Sequence, residues 1–333
     1  MDLIPVVDIL RDKKGKWKEA HLILFELCNM RCSFCHQDHD SKVGLDGDLM
    51  IEKAAKLLAT THPDTAMVVN ITGGELFMNE IGDDVFEAYY QVGKMCLEHF
   101  KDVKLVFGTN LVYHNTDRVK HLIERLRLID PRVWLATSYD PAGRFNGAQR
   151  ELFFQNLEVL GEYVQTVNVV ITKQNIQIFL DGKEGDEFVW LCDKYDVYFD
   201  HYIPSQLYAY HQPDEDLISQ LYIKLNDKYP NSYPIKDWKR NVVNETTCRS
   251  TKIINKDGVI STCWSEAGKD AILDEKEGLI AKDNAEVTFV EHYGCFSCEF
   301  YQRCGLRCFL HDTVLGEKSK DCSIKAMFKV ILA

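Results

Sequence analysis

Cys28-Asn29-Met30-Arg31-Cys32-Ser33-Phe34-Cys35 places three thiols on one short stretch, spaced C-x3-C-x2-C, directly after the apolar run Leu22–Leu27. A strand that runs straight into a cysteine loop is how an α/β sheet presents chemistry at the carboxyl ends of its strands. A second group lies far downstream. It begins as Cys248, nine residues, Gly258, four residues, Cys263, resumes as Cys295-x2-Cys298-x5-Cys304-x3-Cys308, and closes with Cys322. Ten of the twelve cysteines fall into these two groups. Thiols gathered this closely in a long chain suit iron–sulfur ligation better than disulfides.

Working outward from the first loop, strand-like apolar runs alternate with amphipathic stretches as far as about residue 205. The expected strands are Leu22–Leu27, Met67–Thr72, Val103–Gly108, Val133–Ser138, Val167–Thr172 and Val197–Tyr202. Between them lie the expected helices Ile51–Thr60, Val85–Phe100, Asp117–Leu128, Glu151–Tyr163 and Glu187–Lys194. This alternation predicts a parallel sheet with its ligands at the strand ends. Six such units make a partial (βα)6 TIM-like barrel, an open relative of the eight-fold barrel. The expected division is a short N-terminal extension (1–19), the barrel (20–205), a bridge (206–244) that is partly helical near Asp216–Lys228, and a small cysteine-rich C-terminal domain (245–333). In that last part, Asn255–Gly258 reads as a tight turn joining Lys252–Ile254 to Val259–Thr262 in a hairpin.

Composition narrows the classes. With 333 residues and 46% apolar content, the chain can bury a large core. No apolar run approaches the roughly 18 residues of a membrane span. The N-terminus lacks the basic-then-apolar build of an export signal. Together with twelve cysteines, this leads us to expect a cytoplasmic protein. A formal net charge of −12 argues against broad binding to nucleic-acid backbone.

The first cysteine loop resembles the cluster loop of the radical S-adenosylmethionine (SAM) enzymes. That resemblance implies a four-iron cluster held by Cys28, Cys32 and Cys35, with SAM chelated at the open iron. Electron transfer would then cleave SAM to a 5′-deoxyadenosyl radical. Phe34 stands where the family often has an aromatic residue beside the adenine. Gly73-Gly74-Glu75 after the second strand resembles the family's Gly-Gly-Glu motif, in which the acid meets the SAM ammonium. The usual proline after it is here Leu76. Thr109-Asn110 closes the third strand and Ser138-Tyr139-Asp140 the fourth, where the family's serine meets the ribose. An arginine commonly pairs with the methionyl carboxylate, and Arg150 and Arg144 both compete for that part. The expected cofactor-binding set is thus Phe34, Gly73, Gly74, Glu75, Asn110, Ser138 and Arg150. Taken one at a time these motifs are ordinary turn chemistry, and the cysteine loop alone would also suit a structural zinc site.

The downstream cysteines match the seven-cysteine pattern of the SPASM domain, which carries auxiliary iron–sulfur clusters. The resemblance implies that Cys248, Cys263 and Cys308 hold an inner auxiliary cluster, and that Cys295, Cys298, Cys304 and Cys322 hold an outer one. With the SAM cluster this makes three four-iron clusters. The extra cysteine that other members place just ahead of the first SPASM cysteine is missing, since Asn241–Thr247 contains none. An open iron, a non-cysteine ligand such as Glu245, and the distant Cys192 compete for that position, with the open or non-cysteine site expected. Cys192 and Cys96 both sit among apolar neighbours and read as buried structural thiols.

The resemblance further implies reduced flavodoxin or ferredoxin as the electron donor. Modification of a peptide or protein by oxidation, crosslinking or epimerisation is the expected reaction. The competing readings are radical chemistry on a small molecule, sugar or nucleotide, and a non-catalytic iron–sulfur electron-transfer protein. An N-terminal leader-binding module is not expected ahead of Cys28. The sulfatase-maturing branch has an aspartate after the second SPASM cysteine, and this chain has Trp264 there.

Overall fold

A computed structural model describes residues 17–35, 37–182, 185–201, 210–232, 235–239, 251–261, 284, 287–300 and 323–332. These residues form two compact units. The first takes the described residues within Lys16–Val167 and Ser250–Ile272, and the second those within Asn168–Arg249 and Leu273–Ala333.

The first unit repeats strand and helix in strict order. β1 (Lys18–Ile23), α1 (Gly47–Ala59), β2 (Met67–Thr72), α2 (Asp83–His99), β3 (Val103–Thr109), α3 (Thr116–Arg127), β4 (Val133–Ser138) and α4 (Gly147–Leu160) follow one another. β1 pairs in parallel with β2 from Lys18↔Met67 to Ile23↔Thr72, β2 with β3 from Met67↔Val103, and β3 with β4 from Leu105↔Val133. The strands thus all point one way, and the loops that follow them share one edge. The chain has the α/β, TIM-like parallel architecture expected from its periodicity.

Alternation of side chains divides the sheet into two faces. Val69, Ile71, Leu105, Val133 and Leu135 are buried on one of them. On that side Gly93 of α2 leaves room for Leu105 and for Leu126 of α3, either of which a Cβ would approach at about 3.0–3.1 Å. The other face carries half-buried residues: His21 on β1, Asn70 and Thr72 on β2, Lys104 on β3, and Trp134 and Ser138 on β4.

Helix starts follow capping chemistry. Asp46 accepts from the amides of Asp48 and Leu49 at the head of α1. Asn146 and Gln149 form a reciprocal capping box at the head of α4.

β1 begins and ends about four residues earlier than the apolar run Leu22–Leu27 suggests. The reason is that β2 sets its register, and after Leu24, whose amide still reaches the carbonyl of Thr72, the chain changes duty. The carbonyls of Phe25 and Leu27 accept instead from Gly74 and Glu75, so the apolar tail of the run supports a turn rather than a ladder.

The expected hairpin is present as β7 (Thr251–Ile254) and β8 (Ile260–Ser261), which pair antiparallel across Gly258 at φ +76°. β7 pairs in parallel with β1 from Glu19↔Thr251 to Leu22↔Ile254. Within this unit the strand order is therefore β4-β3-β2-β1-β7-β8. Lysines fasten the hairpin: Lys256 to the carboxylate of Glu26 at 2.7 Å, Lys56 to the carbonyl of Gly258, and Lys252 to the carbonyl of Thr60.

β5 (Val164–Ile171) carries the chain into the second unit, where α5 (Lys173–Asp181), α6 (Gly185–Lys194), β6 (Asp196–His201), α7 (Glu215–Lys228), α8 (Ile235–Lys239) and α9 (Ser323–Ile331) follow. α5 was not foreseen from the sequence. α7 matches the helix expected near Asp216–Lys228. Its Lys224 donates to the carbonyls of Phe179 and Leu180 at 2.6 and 2.7 Å, satisfying the last acceptors of α5. α9 packs on α7, and Phe328 stacks on Phe300 at 5.4 Å.

Candidate active site

Four loops meet the carboxyl ends of β1 to β4, and the cysteine loop is the first. The thiols of Cys28, Cys32 and Cys35 are all reduced and half-buried. Local bonds shape the loop: the amide of Cys35 donates to the carbonyl of Cys32 at 3.1 Å, and that of Cys28 to His39 at 3.0 Å. Arg31 donates to the carbonyls of Cys28 and Met30 and pairs with Asp40. Burial pushes the Cys28 thiol up to about 12, and the charges of Glu75, Cys32 and Cys35 add to the rise. Cys32 and Cys35 are raised too, burial again being the main cause. Such thiols stay protonated near neutral pH unless a metal takes the proton's place.

Among the described residues, no group of three or more His, Cys, Asp or Glu side chains is placed to hold a metal ion. A four-iron cluster makes a different demand, one thiolate on each of three irons, and this short loop carries three half-buried thiols.

Gly73-Gly74-Glu75 closes β2 beneath this loop. A Cβ on Gly74 would lie 2.2 Å from the carbonyl oxygens of both Glu26 and Leu27, so only glycine fits. Glu75 is fully buried and accepts from the amide of Phe77 at 2.9 Å, the hydroxyl of Thr109 at 3.0 Å and the amide of Asn110. Burial pushes its carboxyl up to about 7, against the pull of those three donors and of Arg144. The carboxylate thus ties the end of β2 to the end of β3.

The β3 loop turns sharply at Leu111, whose φ is +56°. Asn156 of α4 holds the turn by donating to the carbonyls of Leu111 and Tyr113 at 2.9 and 2.6 Å. Asn110 donates to Asn29 of the cysteine loop at 2.9 Å and reaches the sulfur of Cys28 at 3.9 Å. Asn29 in turn donates to the carbonyl of Val112.

The β4 loop meets the cysteine loop from another side. Gly143, at φ +80°, accepts from the amide of Ser33 at 2.8 Å. Arg144 pairs with the buried Asp140 at 2.6 Å and lies 5.5 Å from the ring of the buried Phe34. Burial works against its charge, but Asp140, Cys32 and Cys35 more than restore it.

The structure therefore gathers Cys28, Cys32, Cys35, Phe34, Gly73, Gly74, Glu75 and Asn110, with Ser138 at the end of β4. Of the two competing arginines, Arg144 stands over Phe34, whereas Arg150 lies in the first turns of α4. Asn29, Asn156 and Asp140 were not singled out from sequence, since an asparagine gives no local sign of a distant carbonyl. Of the downstream cysteines, Cys295 and Cys298 are described. They flank a short 3-10 turn (Cys295–Ser297) in the second unit, closed by the amide of Cys298 on the carbonyl of Cys295 at 3.0 Å. Cys248, Cys263, Cys304, Cys308 and Cys322 lie outside the described residues, as do Glu245 and Trp264. Cys96 is buried on α2 and Cys192 half-buried on α6, each with its thiol raised to about 12 by burial.

No family model and no curated protein matches the chain. Solved structures do. The native structure of anSMEcpe with bound AdoMet is similar over 94% of this chain and 96% of its own, with a TM-score of 0.67 and 14% identity. The same protein with bound AdoMet and the Cp18Cys peptide covers 95% and 97%, with a TM-score of 0.65 and 15% identity. A further complex, with AdoMet and the Kp18Cys peptide, has a TM-score of 0.62 at 14% identity. At 14–15% identity these structures establish that the chain shares their fold. No helix among the described residues is long and apolar enough to cross a membrane.

Proposed function

We propose that this chain is a radical SAM enzyme of the SPASM type that abstracts hydrogen from a peptide or protein substrate. The observation that carries the reading is the cysteine loop, braced at the end of β1 by three neighbouring strand-end loops through Asn29–Asn110, Ser33–Gly143 and Gly74–Phe25.

Cys28, Cys32 and Cys35 would hold the cluster, which when bound supplies the electron that splits SAM into methionine and a 5′-deoxyadenosyl radical. Phe34 offers an apolar ring for the adenine, and Ser138 a hydroxyl for the ribose. Gly73 and Gly74 bring backbone close to the ligand. The three internal donors on Glu75 support a positioning part for it: it fixes Asn110, and Asn110 steadies Asn29 and Cys28. Arg144 stands by Phe34 with its charge secured by Asp140, which favours it over Arg150 for the methionyl carboxylate. Auxiliary clusters on Cys248, Cys263 and Cys308, and on Cys295, Cys298, Cys304 and Cys322, complete the proposal, with reduced flavodoxin or ferredoxin as donor. The inner cluster, one cysteine short, would leave an iron open to substrate or to a non-cysteine ligand.

A peptide substrate is favoured because the similar structures include complexes of anSMEcpe with peptides.

The test is anaerobic reconstitution. About twelve irons per chain are expected, and slow release of 5′-deoxyadenosine from SAM under dithionite. Replacing Cys28, Cys32 and Cys35 together by Ala should remove about four irons and all SAM cleavage. Zinc in place of iron, or unchanged cleavage in the triple variant, overturns the proposal.

A further inference from the structure

On the sheet face opposite α2 and α3, one row of paired residues is unusual. Register places His21 beside Asn70, Asn70 beside Val106, and Val106 beside Trp134. Two residues before His21, and so on the same face, stands Glu19. Asn70 donates to its Oε1 at 2.8 Å, and His21 lies 3.3 Å from the same oxygen. Oε2 has no hydrogen-bond partner among the described residues.

A carboxylate here is costly unless something is gained by it. Burial pushes Glu19 up, yet the bonds from His21 and Asn70 more than offset that, and it stays below the usual range. The group is therefore an anion at neutral pH, fixed by two neighbours at one oxygen, with its side chain 34% exposed. The same face runs up to the cysteine loop through Ile23, and includes Thr72, Gly108 and Ser138. Four residues of strand separate Glu19 from Ile23, about 13 Å.

We propose that Glu19, oriented by His21 and Asn70, is a recognition site for a cationic substrate group, a primary ammonium or guanidinium. The cation meets Oε2 while the rest of the substrate extends along the face toward the end of β1. Charge-assisted pairing in a partly dry setting is strong and directional, which suits a specificity contact. This site deepens the proposed function and rests on it for the identity of the reaction, although the binding itself does not.

The test uses the full chain and two probes of like shape: butylguanidinium, which is charged, and butylurea, which is neutral. Ligand-observed NMR should detect butylguanidinium on the wild type and no binding of butylurea. Glu19→Gln should weaken butylguanidinium at least tenfold, while Glu87→Gln on the exposed side of α2 leaves it unchanged. Asn70→Ala should weaken it about threefold, because the anion is no longer held. Equal binding by Glu19→Gln, equal binding of the two probes, or no binding by the wild type overturns the site. Should Glu19→Gln fail to fold, the two probes on the wild type together with Asn70→Ala decide the matter. Neither SAM nor reductant is needed, so a negative result leaves the radical chemistry standing. Conversely, a chain that binds butylguanidinium through Glu19 but never cleaves SAM counts against the proposed function alone.

Discussion

At the scale of single residues, two glycines make opposite demands. Gly74 has carbonyl oxygens on two sides, and a Cβ there would overlap both. Gly147 opens α4 with nothing within 4 Å of where a Cβ would sit. Gly74→Ala should therefore lower the melting temperature sharply and, on the function proposed above, abolish SAM binding. Gly147→Ala should stabilise by about 0.5–1 kcal/mol, by restricting the unfolded chain. Calorimetry of both variants with a SAM titration checks this. Glu75 makes a second case. Its carboxyl is pushed up to about 7 by burial, from an ordinary value of 4.5. The folded state then binds this proton more tightly than the unfolded one, so the group's contribution is greatest at low pH and is lost as pH rises through about 7. Glu75→Gln should flatten that part of the pH dependence. Urea midpoints of both proteins at pH ~5.5 and ~8 measure it.

At the scale of elements, the β3–α3 loop stands on a turn that its own sequence does not favour. Leu111 takes a left-handed conformation that costs about 1–2 kcal/mol for a residue with a side chain. Asn156 offsets it with two bonds from α4. Asn156→Ala should cost about 1–3 kcal/mol, and adding Leu111→Gly should recover part of the loss, a non-additivity that a double-mutant cycle reads directly. The bounds of β2 and β4 were legible to the residue, because β-branched runs between clear turn signals leave one register. The start of β1 was not, since its limits are set by β2 and by the Gly74 turn. α5 was missed because its apolar residues crowd into five positions, Ile176 to Leu180, although Ile176, Phe179 and Leu180 do keep the i, i+3, i+4 spacing of a helix. The usable sign was at its ends, with Thr172 capping Asn175 and Gly182 turning left-handed at φ +73°. Of the candidate site, the loop Cys28–Cys35 and the Gly-Gly-Glu turn could be named from sequence because chemistry and sterics restrict those positions to few residue types. The asparagine braces were not, because their partners lie up to 83 residues away.

At the scale of the whole molecule, β1 is flanked by strands of very different origin. β2 follows it within 50 residues, whereas β7, its other neighbour, leads into the turn that holds Lys256, which meets Glu26 across 230 residues of sequence. A chain ended after residue 249 should lack that neighbour and leave the outer backbone of β1 unpaired, a ready template for association. Such a fragment should aggregate on expression, and supplying 250–272 as a separate peptide should raise its soluble yield. During synthesis at ~5–20 residues per second, this leaves β1 waiting for tens of seconds before its last partner leaves the ribosome. The three lysine fastenings on the hairpin then act as a late lock. The sheet that carries the cysteine loop is finished only after most of the chain exists, so on the function proposed above a cluster would have an interval of half-built scaffold in which to enter that loop.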